Sequence, residues 1–282
     1  MKKQALLAGS AVIIVLILFY FGRTVSDKKP EIPAMVSTAK SFDIESYIGT
    51  EKQKLTPSQA VTLTQIENNI TRGDIPTQKI ASLTAAANFW KDSINNFEAY
   101  AFYLSAAAKL DNSEKNLTFA AQIILNNLRG EQDEAKMNWE SSEAISLFEK
   151  AIEINPGNED LKIGLASCYV FGKGRNGDPQ QTMKGIQTLL GVVRRDSTNM
   201  KAQLVLGIGG YVSGQYDKAI ARLTKVVTAQ PSNLEAVAFL ADTYAAQGNK
   251  EAAVKWYTIS KRLANDPSYS KEVDERIKVL QK

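Results

Sequence analysis

Residues 200–233, MKAQLVLGIGGYVSGQYDKAIARLTKVVTAQPSN, spell two short amphipathic helices joined by a glycine-containing turn. The first holds Leu206 and Gly207 and is broken at Ser213-Gly214-Gln215. The second opens at Tyr216-Asp217 and sets Ala219, Leu223 and Val226 at i, i+4 and i+7, one face of a helix. Pro231 stops it. The same grammar returns 34 residues on. Leu240, Ala241 and Tyr244 answer the first helix, Gly248 the turn, and Ala253, Tyr257 and Ser260 the second helix.

A 34-residue period with L-G/A-x-x-Y, then a spaced A-x-x-x-F-like pair, then Pro resembles the tetratricopeptide repeat (TPR) family. The resemblance implies an all-α fold, a right-handed α-solenoid of TPR helix pairs, with repeats over residues 77–267. The first, 77–112, places Ala85, Ala86 and Phe89 in one helix and Ala101, Ser105 and Ala108 in the next. Trp90, Phe97, Tyr100, Phe102 and Tyr103 make it the most aromatic part of the chain. They read as the seal of a terminal repeat or as a ligand patch.

The second repeat uses Leu117, Ala120, Ala121 and Ile124, then Ala144, Phe148 and Ala151. Its spacing is exceeded by about eleven residues near 129–139. Charges there (Glu131, Asp133, Glu134, Lys136) predict a longer second helix or a solvent loop. The third repeat uses Leu165, Ala166 and Tyr169, then Gly185, Leu189 and Val192. Its turn contains Gly172-x-Gly174-x-x-Gly177, formally a dinucleotide fingerprint. That motif needs a preceding strand, and here it lies between helices, so no nucleotide site is expected. Residues 268–282 are expected to cap the stack, with Val273, Ile277 and Leu280 on one face.

At the other end, residues 4–22 carry no charge. As a helix this run spans roughly 28 Å, close to the hydrocarbon thickness of a bilayer. It ends in Phe19-Tyr20-Phe21, without a small-x-small cleavage site or a following cysteine. Residues 1–22 are therefore read as an uncleaved transmembrane signal anchor rather than a removed signal peptide. Lys2 and Lys3 before it nearly balance Arg23, Lys28 and Lys29 after it, which leaves both orientations open. The short basic start favours an inner (cytoplasmic) membrane protein with a periplasmic solenoid. Residues 23–76 are expected to hold a linker with Pro30 and Pro33, then two weak juxtamembrane helices. The second starts at Thr56-Pro57 and carries Val61, Leu63, Ile66 and Ile70. These helices read as a spacer or as a surface for self-association.

Composition removes much chemistry. The chain has no histidine, so Ser-His-Asp and Cys-His arrangements and most zinc sites are excluded. Its single cysteine, Cys168, forbids an internal disulfide and reads as an inert core thiol. A formal net charge of +4 gives no basic stripe for nucleic acid. No enzyme, cofactor or metal site is expected.

In the TPR family the first helix of each repeat shows its second, fifth, ninth and twelfth positions to a concave groove. The resemblance therefore implies a partner-binding groove that includes Ile163, Ser167 and Val170 of the third repeat, Lys201, Leu204, Ile208 and Tyr211 of the fourth, and Asp242 of the fifth. The family's carboxylate clamp, with Lys or Arg at the fifth position and Asn at the ninth, is missing. An apolar strip of Ile163, Leu204, Ile208 and Tyr211 suits an extended segment or amphipathic helix of a partner protein. The alternative is that these side chains pack on neighbouring helices and the groove is closed. The layout resembles membrane-anchored bacterial TPR proteins of envelope assembly, including those of cytochrome c biogenesis. The expected function is a membrane-anchored scaffold or adaptor; the alternative is a self-associating structural protein, a homo-oligomer.

Overall fold

The computed structural model of the chain describes residues 41–72, 75–174 and 178–281. The expected anchor and the linker up to residue 40 lie outside the described residues, as does Gly177 of the glycine triplet. Among the described residues no helix is long and apolar enough to cross a membrane. Lys40–Lys282 forms one compact unit, and its described regular structure is entirely helical.

The unit begins with α1 (Ile44–Lys52), α2 (Pro57–Arg72), α3 (Pro76–Asn88) and α4 (Phe97–Asp111). It continues through α5 (Glu114–Leu128), α6 (Glu134–Ile154), α7 (Glu159–Cys168) and α8 (Pro179–Arg195). The last five helices are α9 (Met200–Val212), α10 (Tyr216–Ala229), α11 (Leu234–Gln247), α12 (Lys250–Ala264) and α13 (Pro267–Leu280). Successive helices pack as antiparallel pairs, α3 on α4, α5 on α6, α7 on α8, α9 on α10 and α11 on α12. Each pair then rests on the next, and α13 closes the end by packing on α12.

The helix starts are written locally. Asn158, Asn199, Asn233 and Asn249 precede α7, α9, α11 and α12, and each side-chain oxygen accepts an N–H of the first turn. A cap of this kind contributes about 1 kcal/mol. Close packing within a pair has an equally local cause. A Cβ on Gly207 would fall 2.7 Å from Leu223 Cγ, so only a glycine lets α9 approach α10 this closely.

The main core runs from α4 to α11 and includes Leu117, Ile124, Phe148, Leu189, Leu223 and Leu240. A second cluster joins α1 to α4 around Trp90, Leu63 and Ile48. A third seals the far end with Tyr257 and Val273. Of the stripe expected on α2, Leu63, Ile66 and Ile70 enter the second cluster, while Val61 is 58% exposed. The helix therefore packs on α3 as part of the array. Phe89, Trp90 and Tyr103 of the aromatic segment are buried in the same cluster.

The extra residues of the second repeat lengthen α6, which runs for 21 residues. Asp133 caps it by accepting from the N–H groups of Ala135 and Lys136. The added turns carry Lys136, Trp139 and Glu140, and all three contact other elements. Two first helices end in π-helical turns, Phe89–Ile94 after α3 and Tyr169–Lys173 after α7.

Candidate functional site on the first-helix face

The first helices α5, α7, α9 and α11 touch one another in order, so their shared face is where an expected groove must lie. The apolar candidates on it are spent on packing. Ile163, Ser167, Val170 and Ile208 are at most 5% exposed, and Leu204 is 9% exposed. Ile163, Val170, Leu204 and Ile208 belong to the main core. Ser167 donates its hydroxyl to the Ile163 carbonyl at 2.7 Å, closing its hydrogen bonding within α7. These side chains are interior positions of the array as it stands, and no open apolar strip runs along them.

The polar candidates meet partners on other helices. Lys201 Nζ pairs with Asp160 Oδ1 at 3.0 Å, which links α9 to α7. Asp242 accepts from Arg276 at 2.9 Å and from the Tyr257 hydroxyl, which links α11 to α13 and α12. Burial and that carboxylate push the Tyr257 hydroxyl well above the usual tyrosine range. Tyr211 is half-buried, with its ring 5.8 Å from that of Phe239 in an edge contact. Burial and the Asp242 charge raise its hydroxyl as well.

One further contact crosses the face. Arg129, the residue that ends α5, reaches Glu235 at the start of α11, with Nη1 to Oε1 at 2.5 Å. The two residues are 106 apart in sequence. The Arg129 guanidinium also lies over the Phe171 ring, 4.6 Å from its centroid. The π-helical turn after α7 carries that ring. Three repeats thus converge on one side chain, and the array curls enough for its second pair to meet its fifth.

Sequence patterning gave no signal for Arg129, which fell within the irregular spacing of the second repeat. Nothing local in the chain couples Asp160 to Lys201 or Glu235 to Arg129. Among the described residues no group of acidic or thiol side chains is arranged to hold a metal ion. Cys168 is fully buried, and burial raises its thiol far above the ordinary range.

Residues 213–271 match the tetratricopeptide repeat family model. The matched stretch contains α10, α11 and α12. It overlaps the clean pair of repeats from which the sequence pattern is read. No curated protein matches the chain by sequence. Among solved structures, YrrB, described as a TPR protein with an unusual peptide-binding site, is 19% identical with a TM-score of 0.41. That likeness covers 69% of this chain and 91% of YrrB. MamA is 16% identical with a TM-score of 0.43, covering 66% of this chain and 92% of its own. A tetratricopeptide repeat protein from Parabacteroides merdae is 14% identical with a TM-score of 0.36, covering 80% and 93%.

Proposed function

We propose that the chain is a scaffold that binds a partner protein through the first-helix face of its array. Its carrying observation is the tetratricopeptide match over residues 213–271, since stacked repeats of this kind provide extended binding surfaces. The polar contacts on that face suit exchange. Lys201 and Asp160 have side chains 69% and 60% exposed, and an ion pair in that setting contributes about 0–1 kcal/mol. A partner's charges replace such a contact at little cost, and the Tyr211–Phe239 edge offers an aromatic anchor at the other end of α9. An extended segment or amphipathic helix fits this combination.

In this reading residues 4–22 anchor the scaffold in the cytoplasmic membrane, and the array faces the periplasm. The protein then acts without chemistry of its own, by raising the local concentration of what it holds. Envelope assembly, including cytochrome c biogenesis, is the class of role that such a layout serves.

A photo-crosslinking residue placed at Lys201 or Tyr211, against controls at the exposed Thr224 and Thr258 of second helices, tests the binding face. Crosslinks concentrated at Lys201 and Tyr211 are expected; crosslinks only at the controls move the site to the other face. Protease treatment of intact spheroplasts tests the compartment. Cleavage of the array before lysis is expected, and protection until lysis reverses the orientation.

A further inference from the structure

The formal net charge of +4 conceals a segregation of charge along the array. The second helices α8, α10 and α12 carry ten lysines and arginines against two carboxylates, Asp217 and Glu251. The earlier second helices α4 and α6 carry seven acidic residues against three lysines. The first helices α7, α9 and α11 hold four acidic residues against two lysines. Positive charge is thus collected on the second-helix side of the last three pairs.

Little within the chain neutralises it. Two of the ten cations meet carboxylates, Arg195 at Glu159 and Lys261 at Asp274. The other eight form no ion pair among the described residues, and Lys184, Arg194, Lys218, Lys225, Lys255 and Arg262 are exposed. Glu149 and Asp196 act on Lys184 and Lys225 at longer range. The closer acceptors are neutral: the Tyr169 hydroxyl for Lys184 at 2.7 Å, Gln215 for Lys218 at 2.8 Å and the Ser197 carbonyl for Lys225 at 2.5 Å. The cations also recur at matching places on successive helices. Lys184 and Lys218 are one 34-residue period apart, and Arg194 and Arg262 are two periods apart. Lys225 reaches the turn that follows Arg194 and Arg195. The exposed residues among them include the neutral Gln187, Thr224 and Thr258, and Met183, next to Lys184, is 55% exposed.

We propose that the second-helix face of α8, α10 and α12 docks on an anionic lipid bilayer, which leaves the first-helix face turned away from the lipid. The choice of occupant rests on the reading of residues 4–22 as an anchor, which keeps a bilayer within reach of the array. The distribution of charge suits that occupant. The cations are dispersed over three helices and do not converge on one point, as a plane of many headgroups requires. No aromatic residue of these helices is exposed, so the stacking platform of a single-stranded nucleic acid is missing. Each Lys or Arg near an anionic surface raises partitioning about fivefold. The acidic α4 and α6 are repelled by the same headgroups, so the last three pairs make the contact.

The test uses the full chain reconstituted into vesicles of phosphatidylcholine alone or with roughly 30% phosphatidylglycerol, which supplies the negative surface potential. A fluorophore is attached at Thr224→Cys or Thr258→Cys, with the exposed Gln122→Cys of α5 as control; the native Cys168 is buried. A lipid with a quencher on its headgroup reads proximity. Quenching at Thr224→Cys and Thr258→Cys is expected with phosphatidylglycerol, is expected to vanish in about 0.5 M NaCl, and should be absent at Gln122→Cys. Lys218→Glu, Lys225→Glu and Lys255→Glu together should weaken docking by about a hundredfold or more. Arg at the same three positions should retain it, which guards against a charge-reversed chain that fails to fold. Quenching that ignores phosphatidylglycerol, that appears equally at Gln122→Cys or that survives charge reversal overturns the docking. Capture of poly-glutamate in solution without lipid-dependent quenching also overturns it, and assigns the face to an acidic protein. Release of the chain by alkaline carbonate refutes the anchor alone, and the same quenching with preformed vesicles then decides the docking.

Discussion

Gly164 of α7 lies beneath the ring of Phe148 of α6 so closely that a Cβ built on it would fall 2.4 Å from ring atoms Cε1 and Cζ. Phe148 is 1% exposed, so its ring has no solvent to swing into. Gly164→Ala is therefore expected to destabilise the fold by about 1–3 kcal/mol, the usual cost of overpacking. Adding Phe148→Leu should recover part of that loss. Thermal unfolding of both singles and the double variant checks it, since strict additivity would mean the two residues do not meet.

The Arg129–Glu235 contact is about one-third exposed on both sides, so it is worth only about 0.5–1 kcal/mol. Glu235→Arg should replace attraction by repulsion and speed amide exchange at the end of α5 and the start of α11 several-fold. Combining it with Arg129→Glu restores opposite charges and should slow exchange again. Hydrogen exchange read by mass spectrometry decides; unchanged protection in Glu235→Arg would mean the contact holds nothing.

Glu140 is fully buried, and Asn127 donates to its Oε1 at 2.8 Å while Oε2 has no partner. Burial pushes its carboxyl up to about 8, with the charges of Glu131 and Glu98 adding and Lys136 opposing. The folded state thus keeps a proton that the unfolded chain releases near pH 4.5. Stability should be greatest below that point, fall as pH rises toward about 8, and level off beyond it. The full effect is on the order of 5 kcal/mol, from the size of the displacement. Glu140→Gln should flatten this slope. Chemical denaturation at pH 5, 7 and 9 is the measurement, and an equal slope in the variant would remove Glu140 as its cause.

Cys168 should resist a thiol reagent in the native state, because its sulfur is buried and its thiolate strongly disfavoured. Labelling should rise only as denaturant unfolds the array. Prompt modification without denaturant would place the sulfur at a surface.

Much of the chain's organisation was legible locally. Gly207, Pro231 and the asparagine caps act within a turn or two of themselves, so a pattern of short range marks α9 to α12. Leu63, Ile66 and Ile70 share a helical face, and the structure packs them into one cluster, Leu63 buried and the two isoleucines half-buried. The state of the groove was not legible, because periodicity says which face Ile163 and Ile208 occupy and not how tightly the array curls over it. No propensity marks the π-helical turn that carries Phe171 against Arg129. A bond between residues 106 apart leaves no local trace at either end.

That long bond also changes how the molecule comes apart. Arrays whose units touch only their nearest neighbours melt from the ends inward, each terminal unit fraying with little notice taken by the middle. Here the fifth pair cannot open without also breaking its contact with the second, since Glu235 pairs with Arg129 across the turns between them. Local openings at the far end are thereby coupled to the middle of the chain. The coupling is weak, so it delays peeling of the far end and does not abolish it.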